Sequence, residues 1–228
     1  DYTIWNPESD RAITKNYGLR NIGAKNVNRS ALLKHNNLPL QNTAPVFGIV
    51  SRLTSQKGLD LVINALPSIL ERGAQLVVLG SGDKALEAQY LELAQRHPQQ
   101  IAVTIGYDEN YSHLLQAGCD CLLIPSRFEP CGLTQLYALK YGTLPLVRHT
   151  GGLADSVSEG MDGKLQTGFV FGKADAEELA AAMHRAADVY SDKKQWQQLQ
   201  SNAMNMDFSW NKAADDYIAL YQEVIAKQ

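Results

Sequence analysis

From Pro45 onward the apolar positions alternate between short continuous runs and longer stretches at helical spacing. Val46-Phe47-Gly48-Ile49-Val50, entered from Pro45, reads as a first strand. Leu59, Val62, Ile63, Leu66, Ile69 and Leu70 then recur at the helical period, with Pro67 expected to kink the helix and Gly73 to stop it. The pattern next predicts a strand over 75–79 closed by Gly80-Ser81-Gly82, a helix over 84–96, a strand over 101–105 and a short helix over 111–117. A strand over 121–124, a helix over 133–140, a strand over 144–147, a turn or short helix at Gly151-Gly152, a strand over 168–171 and a long helix over 174–190 follow. Short apolar strands alternating with helices mark βαβ units, and near-continuous apolar strands belong to a parallel sheet covered on both faces. The fold class is α/β, a doubly wound, Rossmann-like parallel sheet.

The two ends differ from this middle. Residues 1–43 are polar and Asn-rich, with one helix candidate over 29–35. After Ser209, a plausible N-cap, residues Trp210, Ala214, Tyr217, Tyr221 and Val224 fall on one helical face. An aromatic face of that kind needs a surface to pack on, either its own domain or another.

Composition narrows the function. Hydrophobic residues make up 45% and charged residues 20%, ordinary for a globular chain, and the net charge of -3 argues against nucleic acid or an anionic membrane as the main partner. No apolar run approaches the roughly 20 residues of a membrane span, and no signal-peptide pattern opens the chain. Three cysteines cannot all pair, and none has zinc-like spacing. Cys119 and Cys121 flank a buried strand and are expected in the core, which fits a reducing compartment.

Ligands of open α/β sheets bind beyond the carboxyl ends of the strands, so the chemistry is sought in those loops. After the first strand, "SRLTSQKGLD" sets Arg52 and Lys57 five residues apart, able to clamp an anion; two ordinary surface cations are an equal reading. It is not a P-loop. Gly80-Ser81-Gly82 lacks the third glycine of a dinucleotide fingerprint and reads as a tight turn. Tyr107 could offer a ring face to a base or sugar, against the commoner alternative of local packing. In "SRFEPCGLTQ", Pro130 and Gly132 force a sharp turn that leaves the N–H groups of Gly132, Leu133 and Thr134 free to seat an anion. Glu129 beside such a seat suits a neutral, hydroxyl-rich group joined to that anion, such as a sugar diphosphate. The plainer alternative is a salt bridge from Glu129 to Arg127 or Arg148.

Taken together, "SRLTSQKGLDL", "IGYDE", "SRFEPCGLTQLYALKYGTLPLVRHTGGLADSV" and "MDFSW" resemble the C-terminal half of bacterial glycogen synthases and plant starch synthases, across essentially the whole chain. The resemblance implies a GT-B retaining glucosyltransferase that moves glucose from ADP-glucose to the non-reducing end of an α-1,4-glucan without a metal or other cofactor. It implies that Arg52 and Lys57 bind the diphosphate, that Leu133 and Thr134 add backbone N–H groups, and that Tyr107 stacks on adenine. Glu129 would hold the glucose hydroxyls, and Cys131 and Gly132 would line the glucose pocket. Related two-domain enzymes often carry a second Glu eight residues after the first, for the ribose; here that residue is Tyr137.

The same resemblance implies a partner, the N-terminal domain of the enzyme, and a cytoplasmic location (plastidic in a plant). It divides the chain into an interdomain linker and entry segment over 1–43, a nucleotide-sugar-binding domain over 44–208, and a helix over 209–228 that packs back on the N-terminal domain. The fragment alone is expected to bind nucleotide weakly and to be inactive. The competing readings are a UDP-glucose enzyme of the same fold and a non-catalytic nucleotide- or glucan-binding module.

Overall fold

The computed structural model describes residues 2–41, 43–160, 163 and 165–226, so the last two positions of the expected C-terminal helix lie outside the described residues. Strands β1 (Val46–Val50), β2 (Gln75–Gly80), β3 (Ile101–Ile105), β4 (Cys121–Ile124), β5 (Leu144–Arg148) and β6 (Phe169–Phe171) form one sheet in the order β3-β2-β1-β4-β5-β6. Every pairing is parallel, as the continuous apolar strands require. On one face, α2 (Leu59–Leu70), α3 (Lys84–Arg96), α7 (Ala176–Ser191) and α8 (Lys193–Met204) bury Leu66, Ile69, Tyr90, Met183 and Trp196. On the other, α1 (Lys25–His35) packs on α4 (Glu109–Gly118), burying Leu32, Leu33 and Leu115. Gly48 of β1 belongs to that contact: a Cβ there would stand 2.4 Å from Cys119 Sγ. Two short helices, α5 (Thr134–Lys140) and α6 (Gly151–Ser156), follow β4 and β5.

Three local differences from the sequence pattern have physical causes. Helix α2 runs through Pro67 to Leu70, because Pro67 is exposed and falls in the last turn of the helix. Helix α8 lies where the periodicity predicts none: its stretch is mostly Lys, Gln, Ser and Asn, with the burial carried by Trp196, Leu199, Ala203 and Met204. Helix α1 begins four residues before the expected 29–35, since its buried face is partly polar. Lys25 Nζ donates to Thr143 Oγ1 at 2.6 Å and Ala117 O at 2.8 Å, and Arg29 Nε reaches Asp120 Oδ2 at 2.9 Å. The N-terminal segment is pinned by Trp5, whose ring stacks between His113 (3.8 Å) and Tyr137 (4.1 Å). Asp10 Oδ2 meets His113 Nδ1 at 2.7 Å and accepts from Tyr141 Oη at 2.5 Å.

Cys119 and Cys121 are buried free thiols, as the sequence suggests. Burial pushes both thiols up, while burial of the Lys25 amine, opposed by Asp120, pushes it down to about 8. A folded thiol that keeps its proton loses ground once the unfolded thiol ionises near pH ~8.5, so that stability falls as pH rises. Lys25 works oppositely over about pH 8 to 10, because the unfolded amine holds its proton longer. Buried tyrosines act in the thiols' direction as pH nears ~10, because burial pushes up the hydroxyls of Tyr17, Tyr90, Tyr111, Tyr141 and Tyr190 as well. Urea unfolding between pH ~8.5 and ~10 should show a decline in stability, and the Cys119→Ala/Cys121→Ala pair should make it shallower by up to about 2.7 kcal/mol per pH unit, the linkage of two protons. An unchanged slope in the double variant contradicts this assignment.

Candidate active site

Strands β1 and β4 are neighbours, although β2 and β3 come between them in sequence. The winding therefore reverses at this pair, and the loops beyond their carboxyl ends diverge to leave a crevice. The fold brings the β1 loop with Arg52 and Lys57 to the β4 loop with Glu129, Cys131, Gly132, Leu133 and Thr134. The contact is direct: Lys57 Nζ lies 2.5 Å from Glu129 Oε2, with the two side chains 20% and 10% exposed. Neither expected arginine pairs with Glu129. Arg127 forks onto Asp60 at 2.6 and 2.7 Å instead, and Arg148 donates to the carbonyls of Ser126 and Arg127. The geometric reason is that both arginines lie over main-chain and α2 partners at the loop base, while Glu129 turns inward.

The two loops are tied as one unit. Arg127 N donates to Gln56 O at 2.8 Å, Gln56 Nε2 to Phe128 O at 3.2 Å, and Arg127 Nη1 to Ser55 O at 2.7 Å. The Arg127 hydrogen bonds hold the Asp60 carboxyl below its usual range. Gly58 lies so close to Pro125 O that a Cβ would stand 2.0 Å away, and its φ of +67° is itself left-handed. The Arg52 guanidinium makes no ion pair or hydrogen bond with the described residues, and the residue is exposed on the β1 loop. Thr54 Oγ1 is buried without a partner among the described residues.

The turn after Glu129 has the expected sharpness. Gly132 has φ +75°, and the N–H groups of Gly132, Leu133 and Thr134 donate to no described carbonyl. Gln135, fully enclosed, donates through Nε2 to Cys131 O (3.1 Å) and Gly132 O (3.0 Å), fixing the turn, while its Oε1 finds no described donor. Phe128 and Leu133 are exposed at the rim, as is the free Cys131. Tyr107 stands 77% exposed at the end of β3, two strands or about 10 Å from β1. Local packing does not explain that exposure. Tyr137 lies on the same side: burial pushes its hydroxyl up, and Tyr107 and Glu109 add to the effect.

The Gly151-Gly152 pair turns out to support the site. A Cβ on Gly151 would stand 2.2 Å from Glu129 O, and one on Gly152 2.2 Å from Cys131 O, both backbone atoms. Gly152 N donates to Glu129 O at 3.2 Å. Gly152→Ala should therefore displace the Glu129–Cys131 backbone and destabilise the chain by about 1–3 kcal/mol. Thermal melts and sugar-nucleotide binding check this, and an unshifted melt with unchanged binding contradicts it.

Elsewhere, a cavity of about 570 Å³ opens near the amino end of β4, lined by Lys25, Arg29, Asp120 and Trp196. Two of its three lining cations, Lys25 and Arg29, are spent on Asp120, Thr143 and main-chain carbonyls, and the third, Lys193, lies over the Tyr190 ring. No group of His, Cys, Asp and Glu able to hold a metal occurs among the described residues, and no described helix is long and apolar enough to cross a membrane.

The family model for glycosyl transferases group 1 matches residues 32–206. The chain belongs to that family. Among group 1 relatives, a glycogen synthase of Marinomonas sp. (strain MWYL1) is 58% identical over 225 residues, 99% of this chain and 47% of that protein. A glycogen synthase of Yersinia pestis (strain Pestoides F) is 50% identical over 228 residues, 98% of this chain and 48% of that one. The chain thus spans about half the length of the relatives it matches. The catalytic domain of starch synthase IV from Arabidopsis thaliana, solved bound to ADP and acarbose, superposes with a TM-score of 0.89 at 35% identity, over 99% of this chain and 48% of that one.

Several residues that support the crevice loops carried no signal in the sequence. Ser126, Asp60 and Gln135 act through the loops rather than facing the crevice, so no spacing marked them. The adjacent glycines at 151 and 152 were visible as a turn, but not as a buttress.

Proposed function

We propose that this chain is the donor-binding half of a retaining glucosyltransferase, transferring glucose from ADP-glucose to the non-reducing end of an α-1,4-glucan. The observation that carries this is the pairing of Lys57 with Glu129 at the switch point, with the exposed Arg52 in the same loop as Lys57. A cationic pair next to a buried carboxylate fits a sugar joined to a diphosphate. The 35% identical starch synthase fold, bound to ADP and acarbose, supports both the nucleotide and the glucan.

In this reading Arg52, Lys57 and the N–H groups of Leu133 and Thr134 take the diphosphate, and Tyr107 takes the adenine. Glu129 takes glucose hydroxyls, with Cys131 and Gly132 as walls. As the anomeric C–O bond breaks, its electron pair passes to the β-phosphate, and the fixed cations stabilise that charge where it develops. The acceptor hydroxyl attacks from the same face, its proton passing to the departing phosphate oxygen, which retains configuration. Glu129 faces the positive character of the sugar carbon. No metal, nucleic acid or membrane is involved, and the enzyme is cytoplasmic.

The N-terminal domain would supply the acceptor surface. Helix α9 (Trp210–Ala226) fits a role as its docking element, since Trp210 (86%), Tyr217 (61%) and Tyr221 (62%) are exposed on it and none of its described residues is buried. Residues 1–43 would carry the chain in from that domain. Calorimetric titration with ADP, UDP and ADP-glucose tests the proposal. ADP should bind better than UDP, and the chain alone should transfer negligible glucose; UDP preference or absence of nucleotide binding overturns it.

A further inference from the structure

We propose that Ser126 is a positioning residue for Glu129, holding one carboxylate oxygen in place while the other meets the sugar and Lys57 is given up to the diphosphate. The inference rests on the donor-site reading above. Ser126 is completely buried, and its Oγ donates to Glu129 Oε2 at 3.0 Å. Its own backbone is fixed, because Arg148 Nε donates to Ser126 O at 2.9 Å. Oε2 thus receives both Ser126 and Lys57, whereas Oε1 accepts from none of the described residues and is left for a ligand.

The arrangement resolves a conflict. One ammonium cannot stay against Glu129 and also neutralise a diphosphate carrying more charge. Lys57 has a flexible stem and a compact charge, so it is the member that moves. Once it moves, Glu129, 7% exposed, loses its cation in a place where an unpartnered carboxylate is costly. Ser126 remains as a donor that cannot follow the phosphate. Being neutral, it fixes the carboxylate without cancelling the charge that faces the sugar carbon. A cation in its place would do the opposite.

The test is a double-mutant cycle on this chain, read by calorimetric titration with ADP and with ADP-glucose. Ser126→Ala should weaken ADP-glucose about 3–10-fold, the net size of one ordinary hydrogen bond, and ADP by a smaller factor, since ADP also draws Lys57 off Glu129 but places no sugar on it. Ser126→Thr, which keeps the hydroxyl, should retain the preference for ADP-glucose. In a Glu129→Ala background, which leaves Ser126 no side-chain acceptor at position 129, Ser126→Ala should add nothing, since the two act as a unit. Ser126→Cys, of similar volume but with a weak donor, takes the place of Ser126→Ala in the cycle if thermal melts show that the alanine variant does not fold. Equal losses for both ligands, or additive losses in the double variant, overturn the proposal. Failure of the wild-type chain to bind ADP would overturn the donor-site reading and this inference with it. ADP binding that gains nothing from the glucose would overturn this inference alone.

Discussion

Glu129→Ala is expected to reduce glucosyl transfer by the assembled enzyme roughly 10²–10³-fold, the scale seen when one preorganised electrostatic group is removed. Glu129 is the one carboxylate that the two crevice loops enclose, gripped by Lys57 and Ser126 through Oε2. Its removal takes away the group facing the sugar, so ADP-glucose should lose the 10–100-fold that hydrogen bonds to a charged acceptor supply, about 1.5–3 kcal/mol. ADP lacks the sugar and should bind as well or better, because Lys57 is released from its partner before the nucleotide arrives. This opposite response of the two ligands distinguishes a sugar-binding carboxylate from a purely structural one. Paired titrations of wild type and variant read it directly, and parallel weakening of ADP and ADP-glucose contradicts it.

Lys57→Ala is the second large effect, and it acts on both ligands. The diphosphate loses a cation, and Glu129 loses its counter-charge while remaining enclosed with Ser126 as its partner. Two negative groups then face each other across the crevice. ADP affinity should fall about 10–100-fold, in line with the 2–5 kcal/mol that truncating one member of a buried charge pair costs, reduced for the remaining exposure of Lys57. Lys57→Ala/Glu129→Ala should recover part of the ADP affinity, because the repulsive carboxylate is gone. A double variant weaker than Lys57→Ala alone would show that Glu129 does not oppose the phosphates.

The parts of the fold legible in the sequence were those carried by continuous apolar runs. Strands β1, β2, β4 and β5 announced themselves as such runs, since burial on both faces leaves few polar positions to blur the pattern, while the edge strand β3 was legible from its apolar residues although it is largely not buried and exposes Thr104. Helix α8 was hidden because few apolar residues anchor it, and α1 started early because its buried face uses Lys25, Asn28 and Arg29. The loops were legible as chemistry: Arg52, Lys57 and Glu129 stood out by charge at strand ends. Their pairing was not legible, since it depends on strand order, and β1 lies beside β4 only through crossovers that no local pattern records. The same blindness explains why Arg127 looked like a partner for Glu129 and proved to belong to Asp60, 67 residues away. Tyr107 could be marked as a candidate from its place after Gly106, but its exposure came from the structure.

The most direct test of the central claim is a crystal structure of the chain with ADP-glucose. The account predicts the diphosphate between Arg52, Lys57 and the N–H groups of Leu133 and Thr134, the adenine on Tyr107, and glucose hydroxyls on Glu129 Oε1. It also predicts Lys57 Nζ moved off Glu129 toward phosphate, with the Ser126 hydrogen bond retained. A nucleotide seated away from the β1–β4 crevice, or a glucose beyond hydrogen-bond reach of Glu129, would contradict it.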